Sequence, residues 1–125
     1  MIKPEEIRKG VFISILPEGM QTDFSWRTIS GVNKDEDGWH VKLDRFGDKP
    51  LNECYGIKLT KSIVKQFGFK ETDPLYFKDD QFHVCFTDSK IHFGMFEHHI
   101  KEIKYIHELQ NIYYAITQKE LLLKC

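Results

Sequence analysis

Six histidines and three cysteines carry the donor atoms in this sequence that can hold a transition metal or serve as nucleophile and base. A metal needs three or four such groups converging, usually with one tight local pair. His83 and Cys85 lie two apart and share a strand face, and His98-His99 follow His92 closely in a predicted turn. There is no HExxH and no HxH, so these read as surface or half-buried strand residues, and no metal is expected. Cys54, Cys85 and Cys125 are odd in number, widely spaced and outside any CxxC, which argues against a disulfide framework and for a reducing compartment. No GxSxG elbow is present, and Cys85 alternates with core positions as a structural thiol does. The carboxylate pairs Glu5-Glu6, Asp35-Glu36-Asp37 and Asp79-Asp80 fall in predicted turns or near a terminus, where such groups are normally solvated. Acid–base catalysis would need one of them in an apolar pocket. Glycines are scattered singly, with no phosphate-cradling GxGxxG or P-loop. The expectation is a protein that binds without reacting and needs no cofactor.

The residues left with binding chemistry are aromatic and basic. Trp26-Arg27 on one predicted strand faces Trp39, His40 and Lys42 on the next, with Arg45 and Phe46 directly after. A Trp face beside Arg or Lys can stack a base and hold a phosphate. The competing reading makes the Trp rings core plugs, and it is favoured for at least one of them. A second set, His98, His99, Lys101 and Lys104, stands at the predicted entrance to the last helix, where a helix N-terminus attracts anions. Its competing reading is a solvated turn.

The elements that must position these residues follow from turn chemistry and apolar period. Pro4 to Lys9 can make one helical turn stopped by Gly10, and Val11 to Leu16 is β-prone until Pro17-Glu18-Gly19 breaks it. Trp26 to Val32, the polar loop Asn33 to Gly38, and the alternation of Trp39, Val41 and Leu43 read as a hairpin. Thr60 is placed to cap a short helix that buries Ile63, Val64 and Phe67 and stops at Gly68. Leu75 to Phe77, then Phe82, Val84 and Phe86, then Ile91, Phe93 and Met95 predict further strands, with Lys78-Asp79-Asp80-Gln81 and Asp88-Ser89-Lys90 as turns. Ile106, Leu109, Tyr113 and Ile116 predict a helix from Ile103 to Ile116, with His107, Glu108, Gln110 and Asn111 on its wetter side.

The fold class expected is α+β. An N-terminal small SH3-like β-barrel or meander leads to a short helix, a second antiparallel β unit, and a C-terminal helix packed on that unit's sheet. With 125 residues the chain is read as one domain, a β-rich half over 1–54 and the remaining elements over 55–125. A net charge of −1 argues against general nucleic-acid binding. The longest apolar runs are a few residues, so no membrane partner is expected, and the charged start lacks a signal-peptide core, which points to the cytoplasm. Aromatics are 14% of the residues, a content compatible with homo-oligomerisation.

The run Ile103-Lys104-Tyr105-Ile106-His107-Glu108-Leu109-Gln110-Asn111-Ile112-Tyr113-Tyr114-Ala115-Ile116-Thr117, followed by Lys119-Glu120-Leu121, resembles an uncharacterised family of small proteins from Bacteroidetes genomes, prophages and phages. Those proteins read K-Y-V-H-x-L-Q-N-L-Y-F-A-L-T-G-x-E-L here. Ile57 to Thr60 through Phe67-Gly68-Phe69 is similar to the family's L-T-x-x-x-L-x-x-x-G-F piece, and Ile7-Arg8-Lys9-Gly10 to its [IL]-R-x-G step. The chain departs at Gln118, where the family has Gly, which bears on the helix stop. The resemblance implies a mobile-element origin in a host cytoplasm and brings no catalytic residues. It raises the expectation of a phage accessory protein that sequesters a small nucleotide-like immune signal. The alternatives are an inhibitor or adaptor acting on a host protein, and an enzyme with a non-standard site.

Overall fold

In the computed structural model the described residues are 2–22, 25–72, 75–78, 81–87, 90–96 and 98–123. Asp79, Asp80, Asp88, Ser89 and Cys125, on which some sequence expectations fell, lie outside them. Contacts divide the chain into two units, Met1–Lys58 with Tyr105–Gln118, and Leu59–Lys104 with Lys119–Cys125. The architecture is α+β, with one antiparallel sheet in each unit.

The first unit's sheet is a meander of β1 (Phe12–Ser14), β2 (Trp26–Asp35), β3 (Gly38–Leu43) and β4 (Gly47–Pro50), in that order. The polar loop expected over Asn33 to Gly38 is shorter than its composition suggests. Asn33, Lys34 and Asp35 stay in the ladder opposite His40, Trp39 and Gly38, leaving a two-residue turn in which Asp35 Oδ1 accepts the Asp37 N–H at 2.8 Å. The expected SH3-like closure is not formed, because no ladder among the described residues joins β1 to β4 and the sheet remains open. Its apolar cluster is Ile2, Val11, Ile13, Ile29, Val41, Leu43, Leu51 and Cys54, all nearly inaccessible. Burying each of the larger aliphatic side chains stabilises the unit by roughly 1.5–3 kcal/mol before entropy is counted.

Helix α2 (Ile106–Thr117) belongs to this first unit and packs on β1 and on the 3-10 turn at Pro4–Glu6. The sequence reading placed it on the second β unit and put His107 and Gln110 on its wet side; both side chains are in fact 1% exposed. The helix face is satisfied by partners about a hundred residues away: His107 Nε2 lies 2.7 Å from Glu6 Oε2, and Gln110 bonds to backbone. Gln110 Oε1 accepts the Phe12 N–H at 2.8 Å, and Gln110 Nε2 donates to the Gly10 carbonyl at 3.3 Å. Asn111 Nδ2 donates to the Glu6 carbonyl at 2.6 Å, and Asn111 Oδ1 accepts from Arg8 Nε at 3.1 Å. The Arg8 guanidinium lies 4.2 Å from the centre of the Tyr114 ring. A polar side chain buried with its partners supplied is stable where an unpartnered one is not.

At its C-terminus α2 stops sharply without a glycine. Gln118 takes the left-handed conformation, φ 62°, and its N–H donates to the Tyr114 carbonyl at 2.8 Å. A side chain held there costs about 1 kcal/mol.

The second unit opens with α1 (Lys61–Gln66). Thr60 Oγ1 accepts the Ile63 N–H at 3.2 Å, and Gly68, at φ 92°, follows the helix as its composition predicts. Its sheet is a meander of β5 (Lys70–Thr72), β6 (Leu75–Lys78), β7 (Phe82–Phe86), β8 (Ile91–Met95) and β9 (His98–Ile103). β7 is central, and Phe82, His83, Val84 and Cys85 are all buried, so both its faces are covered and the expected half-wet alternation is absent. Gly94 on β8 has no room for a side chain, since a Cβ would run into the His98 carbonyl oxygen and the His83 ring. Among the described residues no helix is long and apolar enough to cross a membrane.

Two stability outcomes follow. Gln110→Leu keeps the volume but strands the Phe12 N–H and the Gly10 carbonyl, so it should cost about 2–4 kcal/mol in urea unfolding; a loss below about 0.5 kcal/mol would mean the amide contacts are incidental. Gln118→Gly should raise stability by up to about 1 kcal/mol by removing the left-handed strain, seen as a higher midpoint in the same titration.

Candidate functional site

The two tryptophans expected to face each other do not. Trp39 pairs with Lys34 at the turn end of the β2–β3 hairpin, whereas Trp26, at the start of β2, pairs with Ser14 of β1. Trp26 and Lys34 are eight positions apart on β2, a separation of roughly 26 Å at strand rise. The tight turn at Glu36-Asp37 fixes this register and so parts the rings. Neither is a core plug: Trp39 is 36% exposed, with Lys34 Nζ 5.6 Å from its ring centre, and Trp26 is half-buried against Phe12, centroids 6.2 Å apart.

Arg27 and Arg45 fare differently. The β3–β4 hairpin reverses over Asp44, Arg45 and Phe46, with Arg45 at φ 60° and Leu43 paired to Gly47. The Asp44 N–H donates to the Thr28 carbonyl at 3.0 Å, which seats this tip against the start of β2. Phe46 therefore projects, 45% exposed, with the Arg27 guanidinium 5.7 Å and Lys49 Nζ 5.3 Å from its ring centre. Arg27 Nη1 donates to the Trp26 carbonyl at 2.7 Å, which fixes the base of the guanidinium. Lys42 is exposed on β3 opposite Asp48, and its carbonyl accepts from the Ser30 hydroxyl. The corner thus joins Arg27, Arg45, Phe46 and Lys49. Lys49 was missed by the sequence reading; the short Asp-Arg-Phe-Gly reversal after Leu43 was the signal that could have returned it beside Arg27. Two cations and an exposed ring can take a planar anion, the ring by stacking and the cations by charge. Glu53 moderates the charge, its carboxylate 3.7 Å from Lys49 Nζ.

Trp39 also walls a cleft of about 240 Å³, shared with Pro4, Asp37, Pro50 and Asn52. An apolar platform beside one amide and one carboxylate can seat a flat ring.

His98, His99 and Lys101 are not at the entrance to the last helix. They lie on β9, an edge strand of the second unit, with His98 and Lys101 exposed; α2 begins only at Ile106. The N-terminus of α2 is occupied from within, the Tyr105 N–H donating to Glu108 Oε1 at 3.0 Å. His83 and Cys85 are both buried in β7, and among the described residues no group of three or more His, Cys, Asp or Glu is arranged to hold a metal.

Cys54 lies beneath the corner. Burial raises its thiol pKa from 9.0 to about 11, against the pull of Lys49 and with a small push from Glu53. Its Sγ–H points to the Pro50 carbonyl, 3.6 Å away. The thiolate that a nucleophile requires is therefore suppressed at neutral pH. No protein-family model matches the chain, and neither a curated protein nor a solved structure matches it.

Because the folded thiol holds its proton more tightly than the unfolded one, its contribution to stability is complete below pH 9 and drains away as pH climbs toward 11. The stability difference between wild type and Cys54→Ala should accordingly narrow in favour of the variant across that interval, read from denaturant midpoints at stepped pH. A constant difference would show that the thiol titrates as if exposed.

Proposed function

We propose that this chain is a non-enzymatic phage or prophage accessory protein that binds and sequesters a small nucleotide-like anion, of the class used as cyclic-nucleotide immune signals, in the cytoplasm of a host cell. The observation that carries the reading is the exposed Phe46 ring with Arg27 and Lys49 both within 6 Å of its centre. A ring in that setting gives a base a stacking surface, and the cations neutralise phosphate. The mobile-element resemblance supports the setting. Its two outer pieces, Arg8 to Gly10 and His107 to Asn111, hydrogen-bond to one another, so the residues that carry the likeness also form one structural unit.

A second reading, inhibition of a host protein, rests on β9. This edge strand carries exposed Ile100, and Phe96 in the turn before it is 63% exposed. An open edge with apolar side chains is a surface on which another protein can pair.

Heat denaturation of protein purified from signal-producing cells, with mass spectrometry of the supernatant, separates the two. Release of an intact nucleotide is expected, and a cyclic dinucleotide should raise the melting temperature of wild type. Phe46→Ala and Lys49→Ala should each weaken that binding about 10-fold, the equivalent of 1.4 kcal/mol. No released nucleotide, no thermal shift, and a stoichiometric host protein lost on Ile100→Lys would overturn the anion reading in favour of the second. Turnover of the bound nucleotide would make the protein an enzyme.

A further inference from the structure

The cleft beside Trp39 is built from residues that leave it little freedom to collapse. Pro4 and Pro50, both half-buried, stand in its wall, and their pyrrolidine rings fix the local backbone. Pro4 opens the 3-10 turn at Pro4–Glu6. Pro50 leads into a second such turn at Leu51–Glu53, closed by the Cys54 N–H on the Leu51 carbonyl at 3.0 Å. Ile2 and Leu51, members of the buried apolar cluster, contribute further apolar surface. Trp39 is fixed opposite Lys34 by the β2–β3 ladder and is nonetheless 36% exposed. Among the described residues no aromatic ring stacks on it; its contact is with Lys34 Nζ, 5.6 Å from the ring centre.

Two polar side chains complete the lining, the Asp37 carboxylate and the Asn52 carboxamide. Both residues are exposed, and among the described residues neither side chain is engaged in a hydrogen bond or ion pair. They contrast with Gln110 and Asn111, whose amides are used to hold the fold. Asp37 is the one charge among the described lining residues.

We propose that this cleft binds a guanine base. A Trp face between proline walls accepts a flat heterocycle. The polar pair then chooses among the bases by the hydrogen-bonding edge each presents. A carboxylate only accepts, and two adjacent N–H donors satisfy both its oxygens. Guanine carries such a pair, N1–H beside the N2 amino group, with O6 next to them as acceptor for the Asn52 amide N–H. Adenine and cytosine each place a ring-nitrogen lone pair beside their amino group. Uracil and thymine place two carbonyls around one N–H. Each of these sets an acceptor against the carboxylate. At about 240 Å³ the cleft is smaller than the roughly 300–1,000 Å³ of pockets for drug-sized molecules, so it holds one base with its sugar outside. Trp39 lies near the start of β3 and Phe46 beyond its end, and this site does not depend on the cationic corner.

The test is calorimetry and ¹⁵N NMR on the full chain with guanosine, inosine and adenosine. Guanosine should bind and shift the Trp39 indole N–H resonance while that of Trp26 stays in place. Inosine, which lacks the N2 amino group and keeps the rest of the ring, should bind about 10-fold more weakly, the loss of one hydrogen bond to a charged group. Adenosine should bind more weakly still. Asp37→Asn keeps the turn, because the N–H that Asp35 accepts belongs to the backbone and Asn precedes Gly in turns as readily as Asp. It should weaken guanosine about 10-fold without altering the melting temperature of the free protein, while Phe46→Ala should leave guanosine binding unchanged. Absence of heat and of any Trp39 shift with guanosine would overturn the proposal, as would inosine or adenosine binding as tightly as guanosine, or indifference to Asp37→Asn.

Discussion

A three-residue strand at the edge of a sheet has one row of backbone groups with no strand beside it. For β1 that row runs along Gly10, Phe12 and Ser14, and the first unit is organised around filling it. The carboxamide of Gln110 takes the Gly10 carbonyl and the Phe12 N–H as a neighbouring peptide group would. Tyr55 then takes both the N–H and the carbonyl of Ser14, at 2.8 and 2.9 Å. A side chain from a helix and one residue of a loop together act as the missing strand. The arrangement fixes which turn of α2 lies over β1 and brings Tyr55 and Gly56 beside Tyr105 and His107. Asn111 and Arg8 extend it, tying the segment before β1 to the same helix face.

This constraint also explains what the sequence discloses and what it hides. Local chemistry is legible: Thr60 caps α1, Gly68 follows it, and the apolar period of Ile106, Leu109 and Tyr113 marks the buried stripe of α2. His107 and Gln110 are misread because periodicity equates polar with wet, while their partners lie about a hundred residues away and leave no local trace. The short strands were hidden for a related reason. Lys70-Glu71-Thr72 is an exposed edge with no apolar alternation, and β9 is mostly polar. At the candidate site the residue types were visible but the register was not. The antiparallel pairing of Lys34 with Trp39 leaves Trp39 at the far end of β2 from Trp26, while the neighbouring reversal returns Lys49 to Arg27 and Phe46.

Net charge conceals a separation of charge within the first unit. The value of −1 reads as near neutrality, yet cations gather around Phe46 and carboxylates around His107. Each local field acts over about a Debye length, roughly 8 Å at physiological salt, so neither region is described by the sum. Composition can argue against a continuous basic stripe for nucleic acid, but it is blind to small opposed regions of this kind.

The discontinuity of the first unit has a consequence for how the protein is made. Its sheet is encoded by residue 50, but the helix that completes the outer edge of β1 begins at residue 106. A ribosome adding about 5–20 residues per second spends several seconds between the two. Throughout that interval the nascent sheet carries an unpaired strand edge, while Leu59–Lys104 emerges as a continuous antiparallel segment able to form its own ladders. The order of synthesis thus lets both sheets form before the outer edge of β1 is covered, and makes the arrival of Gln110 the event that closes the earliest exposed surface of the chain.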